Sequence, residues 1–393
     1  MSGAELSQAL SGTRHVAFLT GTRADFGKLK PLITAAADLP GIRVTVVVTG
    51  MHLLEKYGST VIEVRRLEPA VTVTEVPNQG DDGATMDRVL ARTVDGLADL
   101  IDRDRPDLLV VHGDRVEALA GAAAGALRNV AVAHVEGGEV SGTIDGVLRH
   151  AVSKLSHLHL VANDEAERRV VQLGEDPDTV WPIGSPDIDV MLSDSLPPLE
   201  QVLADYEIPF EDYSLVILHG VTTESEDENT AVARALVDVL LERDGNVVVV
   251  HPNNDPGSDR ILAEYERLHG DERFRVFPSL RFEAFLTLLR HAQMLIGNSS
   301  AGIREAPIYG VPSVDIGTRQ RGRAQHPTIV HADPAADEIR RGITDAARLA
   351  IAEPHLHFGR GKSATRFAEL LGSGSVWSRG IDKVFRDLIV GDD

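Results

Sequence analysis

The sequence predicts an α/β protein built from two Rossmann-like halves, and three observations carry that reading. From His15 onward, short runs of β-branched residues alternate with helix-length amphipathic stretches. The runs are apolar throughout, as strands of a parallel sheet covered on both faces are. The pattern fades at Leu196-Pro197-Pro198 and then restarts, which marks two sheets joined near 195–212. At 393 residues the chain is also long enough to bury two cores.

Taken in order, the first half offers the strands HVAFLT, IRVTVVVTG, AVTVTEV, DLLVVHG, VAVAHVE and HLHLVAN. The second offers SLVILHG, NVVVVHP, FRVFPS, AQMLIGNSS and VPSVDIG. The expected organisation is a disordered N-terminus over 1–13, one Rossmann-like domain over 14–195 and another over 212–370. A last amphipathic helix at about 375–393 is expected to pack back on the first domain. Ligands of open parallel sheets sit beyond the carboxyl ends of the strands, so the facing ends of two such sheets form a cleft. Several of these ends are polar: Gly21 to Asp25, Gly113-Asp114-Arg115, Glu136 to Glu139, His219-Gly220, His251 to Asn254, Asn298-Ser299-Ser300 and Gly317-Thr318-Arg319.

Composition removes several classes of function. Hydrophobic content of 43% with 25% charged residues is that of an ordinary globular protein. Only 4% of residues are aromatic and the formal charge is −21, which disfavours nucleic acid and anionic membrane as partners. There is no cysteine, so disulfide and thiolate chemistry are excluded. No run approaches the length of a membrane span and Met1 to Gly12 is short and polar, so a cytoplasmic protein is expected.

The first strand runs into TGTRADFGKLKPL, where a glycine-bearing turn opens a helix beside Arg23 and Lys28. That arrangement suits a phosphate; it also reads as a plain turn with Asp25 as the helix cap. The fingerprint G-x-G-x-x-G is absent, which argues against a nicotinamide cofactor. GNSSAGIREAP, from Gly297 to Pro307, has hydroxyls at a helix start and Glu305 one turn inside. It fits a diphosphate on backbone amides with a carboxylate on ribose hydroxyls, or a serine cap with a capping-type glutamate.

Three carboxylates carry the chemical reading: Asp114 and Glu136 end adjacent strands, and Asp145 opens the helix DGVLRHAVSKLSH. Acids held at different pKa values serve as base and acid; as structural groups, Asp114 and Asp145 are caps and Glu136 or Glu139 pairs with Arg115. His219 follows a strand and either faces a leaving phosphate or is structural. His112, His134, His150 and His157 are dispersed without the H-x-x-x-H spacing, so no metal is expected. In GRGKSAT the glycine a phosphate-binding P-loop needs falls on Leu356, which excludes that motif.

Together, TGTRADFGKLKPL, VVHGDRVEALAGA, HVEGGEVSGTIDGVLRHAVSKLSH, VANDEAERR, PIGSPDID, LHGVTTE, HPNNDPG, GNSSAGIREAP and GTRQRGR resemble the UDP-N-acetylglucosamine 2-epimerase family over roughly residues 14 to 370. The run GTIDGVLRHAVSKLSH is most similar to the hydrolysing branch of sialic-acid pathways. The resemblance implies a glycosyltransferase-B-like arrangement with the active site in the interdomain cleft. It implies anti elimination of UDP to a 2-acetamidoglucal, followed by hydration to N-acetylmannosamine, with no cofactor. It puts catalytic roles on Asp114, Glu136, Asp145 and His219. Contacts to UDP and its diphosphate are expected from Arg23, Lys28, His219, Ser299, Ser300, Gly302, Glu305, Arg319 and Arg321. A UDP-sugar substrate and a homodimer or homotetramer are implied as well. The non-hydrolysing branch has a longer loop with an E-A-G-L-R start; here Glu136-Gly137-Gly138-Glu139 and a shorter loop favour hydrolysis.

The chemistry asks for these residue types. Inverting a C–H stereocentre removes a proton from one face and returns it on the other, so acid/base groups are needed on two sides. Because the C2 proton is barely acidic, UDP departure leads and carboxylates stabilise the charge at C1. Which carboxylate is the base stays open. Alternatives are a non-hydrolysing epimerase, an epimerase of a 2,4-diacetamido-6-deoxy sugar, a glycosyltransferase of the same architecture, or a binding protein.

Overall fold

In the computed structural model, which describes residues 12–78, 85–141, 144–253, 257–322, 326–349 and 355–387, each half builds its own parallel sheet. The first has seven strands: β1 (Arg14–Thr20), β2 (Ile42–Val48), β3 (Thr72–Glu75), β4 (Leu108–His112), β5 (Ala131–Val135), β6 (Leu158–Val161) and β7 (Val180–Pro182). They lie in the order β3-β2-β1-β4-β5-β6-β7, with every neighbouring pair parallel. Alternation sorts side chains to two faces, and both are buried. Val16, Phe18, Val44, Val46, Leu108 and Val110 share a core with Phe26, Leu29 and Ile33 of helix Arg23–Ala37. Ala17, Leu19, Val47, Leu109 and Val111 face helices Met86–Asp104 and Val116–Leu127. The latter helix packs close because it offers glycine to the sheet: a Cβ on Gly125 would lie 2.4 Å from Val132.

The second sheet has six strands: β8 (Tyr213–Ile217), β9 (Asn246–Val250), β10 (Phe274–Phe277), β11 (Leu295–Gly297), β12 (Ser313–Ile316) and β13 (Ile329–Ala332). The order β10-β9-β8-β11-β12-β13 repeats the first six positions of the other sheet, again all parallel. Val216, Val247, Val249 and Ile296 enter one core and Leu215, Ile217, Val248 and Leu295 the other. Gly297 is required where β11 meets β8: its φ is +139° and a Cβ would lie 1.9 Å from the Ile217 carbonyl oxygen. In each sheet the winding reverses beside the first strand, between β1 and β4 and between β8 and β11. Those are the points where such sheets leave a crevice for a ligand.

Unit 1 comprises Met1–Glu139, Asp145–Ser193 and Phe358–Asp393; unit 2 comprises Val140–Ile144 and Asp194–His357. Two expectations need correction. The boundary drawn at 370 falls instead at 357–358, because helix Ser363–Gly372 buries Phe367, Leu370 and Leu371 in the core of unit 1. Helix expected from about 375 does not form over the described residues 375–387, which are turns and irregular chain. Gly372, Gly374 and Gly380 weaken it at close intervals. Residues 1–11 and 388–393, covering most of the expected disordered N-terminus and the end of that helix, lie outside the described residues. No helix among the described residues is long and apolar enough to cross a membrane.

Candidate active site

At the switch point of unit 1, the turn after β1 meets the end of β4. Thr22 caps helix Arg23–Ala37, its Oγ1 accepting the Asp25 N–H at 3.1 Å. Asp25 is therefore free of the capping role and turns its carboxylate inward. Its Oδ2 accepts the Gly21 N–H at 3.1 Å, and its Oδ1 lies 2.7 Å from His112 Nδ1. His112 Nε2 in turn lies 3.3 Å from Glu136 Oε2, a charge contact not aligned as a hydrogen bond. The Ser185 hydroxyl donates to the other oxygen of Glu136.

Burial opposes protonation of His112, but the Glu136 carboxylate and the Asp25 hydrogen bond and charge outweigh it and raise its pKa to about 9. At neutral pH it is an imidazolium between two carboxylates. Asp25 shows the counterpart: burial raises its pKa, and the His112 hydrogen bond and charge, with help from Thr20 and the Gly21 amide, bring it below the ordinary value. Glu136 itself sits at φ +64°, a left-handed conformation unusual for a long side chain.

Asp114 follows β4 and receives a hydrogen bond from Arg149, whose other terminal nitrogen is 3.3 Å from Glu139 Oε2. Arg149 is buried on helix Ile144–Leu155. Asp145 lies in the first turn of that helix, four residues earlier and so on the same face. The three expected carboxylates thus come from the ends of β4 and β5 and the helix after β5. His134 is a supporting member: its Nε2 is 2.8 Å from the Gly113 carbonyl and its Nδ1 3.0 Å from Ser153 Oγ. A carbonyl only accepts, so Nε2 carries the proton. Burial holds the pKa of this ring down at about 3, and it stays neutral.

The expected phosphate cations divide. Arg23 lies 3.1 Å from Glu63 at the helix start. Lys28 points elsewhere, 3.2 Å from the fully buried carboxylate of Asp187, so its charge is engaged in the body of unit 1. Among the described residues, no three His, Cys, Asp or Glu side chains are grouped as a metal site requires.

In unit 2 the same geometry recurs. The His219 N–H donates to Asn298 Oδ1 at 2.7 Å and Asn298 Nδ2 donates to the His219 carbonyl at 2.9 Å, tying the β8 end to the β11 end. The Asn253 N–H donates to His219 Nδ1 at 3.1 Å, so a neutral His219 carries its proton on Nε2. Beside it, a small concavity is lined by Leu218, His219, Val221, Asn298, Gly317 and Thr318. Ser300 is the N-cap of helix Ala301–Arg304 but makes no side-chain cap bond, while Ser299 Oγ accepts the Ala301 N–H at 3.3 Å. With four residues, that helix has no long macrodipole, and its Ala301, Gly302 and Ile303 amides already donate to Ser299 and Ser300. Glu305 follows it and is buried.

Gly302 has a packing role: its N–H donates to the Ser299 carbonyl at 3.1 Å, and a Cβ there would press on Leu295 and Ser313 at 3.0 and 3.3 Å. Arg319 reaches the Asn298 carbonyl at 3.4 Å, as does the Gln320 amide at 2.7 Å. Arg321 is exposed in the following turn.

The sequence alone leaves His112 among the dispersed histidines and offers Asp25 as a cap in one of two readings of its turn. It does not single out Arg149 or Ser185, and it names Asn298 only as part of a polar strand end. His112 carries a signal, being the last residue of β4, and Arg149 carries one in its i,i+4 spacing from Asp145. Ser185 has none, because it meets Glu136 across 49 residues of chain.

Comparison with known proteins bears on the family and the fold. Residues 35–372 match the family model described as UDP-N-acetylglucosamine 2-epimerase. A UDP-N-acetylglucosamine 2-epimerase from Neisseria meningitidis serogroup B is 45% identical, covering 95% of this chain and 99% of the relative. A hydrolysing UDP-N,N'-diacetylbacillosamine 2-epimerase from Legionella pneumophila is 29% identical over 91% of this chain and 95% of its own. Among solved structures, the UDP-GlcNAc 2-epimerase of Methanocaldococcus jannaschii, crystallised with UDP-GlcNAc and UDP, shares the fold with a TM-score of 0.77 at 19% identity, covering 91% of this chain and 99% of that one.

Proposed function

The chain belongs to the UDP-N-acetylglucosamine 2-epimerase family, and from that premise we propose that it is a hydrolysing 2-epimerase, converting UDP-N-acetylglucosamine and water to N-acetylmannosamine and UDP. The observation that carries the reading is the gathering of charge at the switch point of unit 1. There Asp25, His112 and Glu136 form a largely buried chain of contacts, and Arg149 bridges Asp114 and Glu139. Acid/base groups held this way suit a proton that leaves C2 on one face and returns on the other.

In the first step the C1–O bond to UDP breaks, the electron pair leaves with the diphosphate, and a carboxylate takes the C2 proton to give the glucal. Asp114, Glu136 and Asp145 are the candidates for that base and for stabilising charge at C1. In the second step C2 regains a proton from the opposite face and water adds at C1. The imidazolium His112 holds Glu136 and Asp25 in place as charges shift. On the leaving side we assign the diphosphate to Arg23, His219 and the turn at Ser299 and Ser300, with Glu305 for the ribose. Arg319 backs that turn. The structural engagement of Lys28 and Gly302 and the exposure of Arg321 make these three weaker ligands.

Hydrolysis is supported by the Glu136-Gly137-Gly138-Glu139 sequence and by the relative named as hydrolysing. That same relative favours a second reading, in which the sugar is a UDP-2,4-diacetamido-6-deoxy hexose. A homodimer or homotetramer belongs to the proposal and is supported by Leu127 and Val147, which are 80% and 63% exposed on unit 1 helices. The test of function is an NMR time course with UDP-N-acetylglucosamine in D2O. Stoichiometric UDP with N-acetylmannosamine deuterated at C2 is the expected result. An equilibrium of two UDP-sugars overturns hydrolysis, and turnover of the diacetamido sugar alone moves the substrate to the second reading.

A further inference from the structure

The helix Ile144–Leu155 carries Asp145 and Arg149 at one end, and its other end is held by a segment outside the family-matched residues 35–372. The C-terminal strap from Ser373 has no helix or strand over its described residues, yet side chains fasten it to unit 1. Trp377 donates its indole N–H to the Leu371 carbonyl at 2.9 Å. The Arg379 guanidinium stacks 5.4 Å above the Trp181 ring, and Arg386 lies 3.1 Å from Asp176. Between the last two, Lys383 places its ammonium 2.8 Å from the Lys154 carbonyl, 2.6 Å from the Ser156 carbonyl and 2.6 Å from Glu175 Oε2. An ammonium has three N–H donors, shared among these three acceptors and the more distant Ser153 carbonyl at 3.5 Å.

The last carbonyls of a helix lack intrahelical donors, and a cation there also complements the macrodipole. Lys383 supplies both from a position more than two hundred residues along the chain. Its anchor is itself fixed: Glu175 is 2% exposed and accepts from the buried His159 at 3.0 Å and from Lys154 at 2.6 Å.

From this end of the helix, packed contacts lead back to the site along two routes. Ser153, in the capped turn, holds His134 at 3.0 Å, and His134 holds the Gly113 carbonyl at 2.8 Å, next to Asp114. The helix also carries Arg149, which hydrogen-bonds Asp114 directly. A shift of the helix along or about its axis therefore moves Asp145, Arg149 and the support of Asp114 together.

We infer that Lys383 is a positioning residue for the proposed carboxylate site: the strap clamps the C-terminal end of helix Ile144–Leu155 so that Asp145 and Asp114 keep their geometry. The inference rests on the proposed reading of those carboxylates. It predicts that loss of the clamp lowers turnover with little effect on nucleotide binding.

The test uses the full chain with Lys383→Met, which keeps the stem, and Lys383→Arg, which keeps the charge but only part of the three-way donor geometry. For Lys383→Met, kcat with UDP-N-acetylglucosamine is expected to fall about tenfold while KM and UDP affinity stay within about twofold. Lys383→Arg falls between it and the wild type. Hydrogen exchange over residues 145–156 rises in Lys383→Met at a temperature where the protein is fully folded. Should Lys383→Met not yield folded protein, Glu175→Gln, which weakens the anchor of the ammonium, is measured in the same way. A kcat equal to wild type, a kcat loss matched by the loss of folded protein, or unchanged exchange in that helix overturns the inference. If the wild type itself turns over no UDP-sugar, the functional reading fails, while the exchange measurement still decides whether Lys383 holds the helix.

Discussion

Raising the pH should destabilise unit 1 through a single imidazole. His112 has its pKa raised from 6.5 to about 9 by Glu136 and Asp25, against the opposing effect of burial. A group whose folded pKa is raised contributes stability that is fully present below the unfolded pKa and disappears as pH climbs through the folded one. The window here is therefore pH 6.5 to about 9. At about 1.4 kcal/mol for each pH unit across that window, the loss is on the order of 3 kcal/mol. For a unit of this size that corresponds to a fall in unfolding temperature of about 6–12 °C. The assay is thermal unfolding by circular dichroism from pH 6 to 10 for wild type and His112→Gln. Glutamine cannot carry the charge, so its stability is lower at pH 6.5 and its alkaline slope flatter. Parallel curves for the two proteins would refute the assignment of a cation between Asp25 and Glu136.

Three further predictions address other parts of the fold and site. Gly297→Ala puts a Cβ 1.9 Å from the Ile217 carbonyl oxygen; a loss beyond about 4 kcal/mol is expected, seen as little soluble protein and a disrupted unit 2 in limited proteolysis. Lys28→Met removes the cation beside the fully buried Asp187 and should destabilise by about 3 kcal/mol or more with UDP affinity unchanged by calorimetry; retained stability with lost UDP binding would return Lys28 to the phosphate site. Asp114→Asn should lower turnover by about a hundredfold or more while UDP affinity stays within a few-fold; an equal loss of binding argues against a chemical role.

Strands were legible where both faces are buried, because Val, Ile and Leu then run without interruption. The strands missed by sequence reasoning are β7, with three residues ending in Pro182, and β13, with four including the exposed His331. Both are outermost strands, where one side lacks a partner and the apolar pattern is short. The C-terminal stretch misled in the other direction. Its amphipathic spacing suggested a helix, but what fixes the strap is a series of single long-range contacts by Trp377, Arg379, Lys383 and Arg386, which periodicity does not encode.

The site was legible to the extent that its members end strands, and the missing information was which strand ends are neighbours. Asp25 and His112 stand 87 residues apart, and as isolated residues one reads as a cap and the other as a stray histidine. The sheet order resolves both, since β4 lies directly beside β1 and so brings the end of β4 against the turn after β1. Applied to the second sheet, the same rule pairs the end of β8 with that of β11, and there His219 and Asn298 are joined by two hydrogen bonds across 79 residues. Each unit thus fastens its switch point with one polar pair contributed by the strands on either side of the reversal. In unit 1 that pair is charged and extends to Glu136, beside proposed acid/base groups. In unit 2 it joins the His219 backbone to the Asn298 side-chain amide and fixes the backbone at the proposed diphosphate turn. In the proposed reaction the charged pair of unit 1 stands beside the acid/base groups and Arg23, and the Asn298 pair of unit 2 holds the turn assigned to the diphosphate.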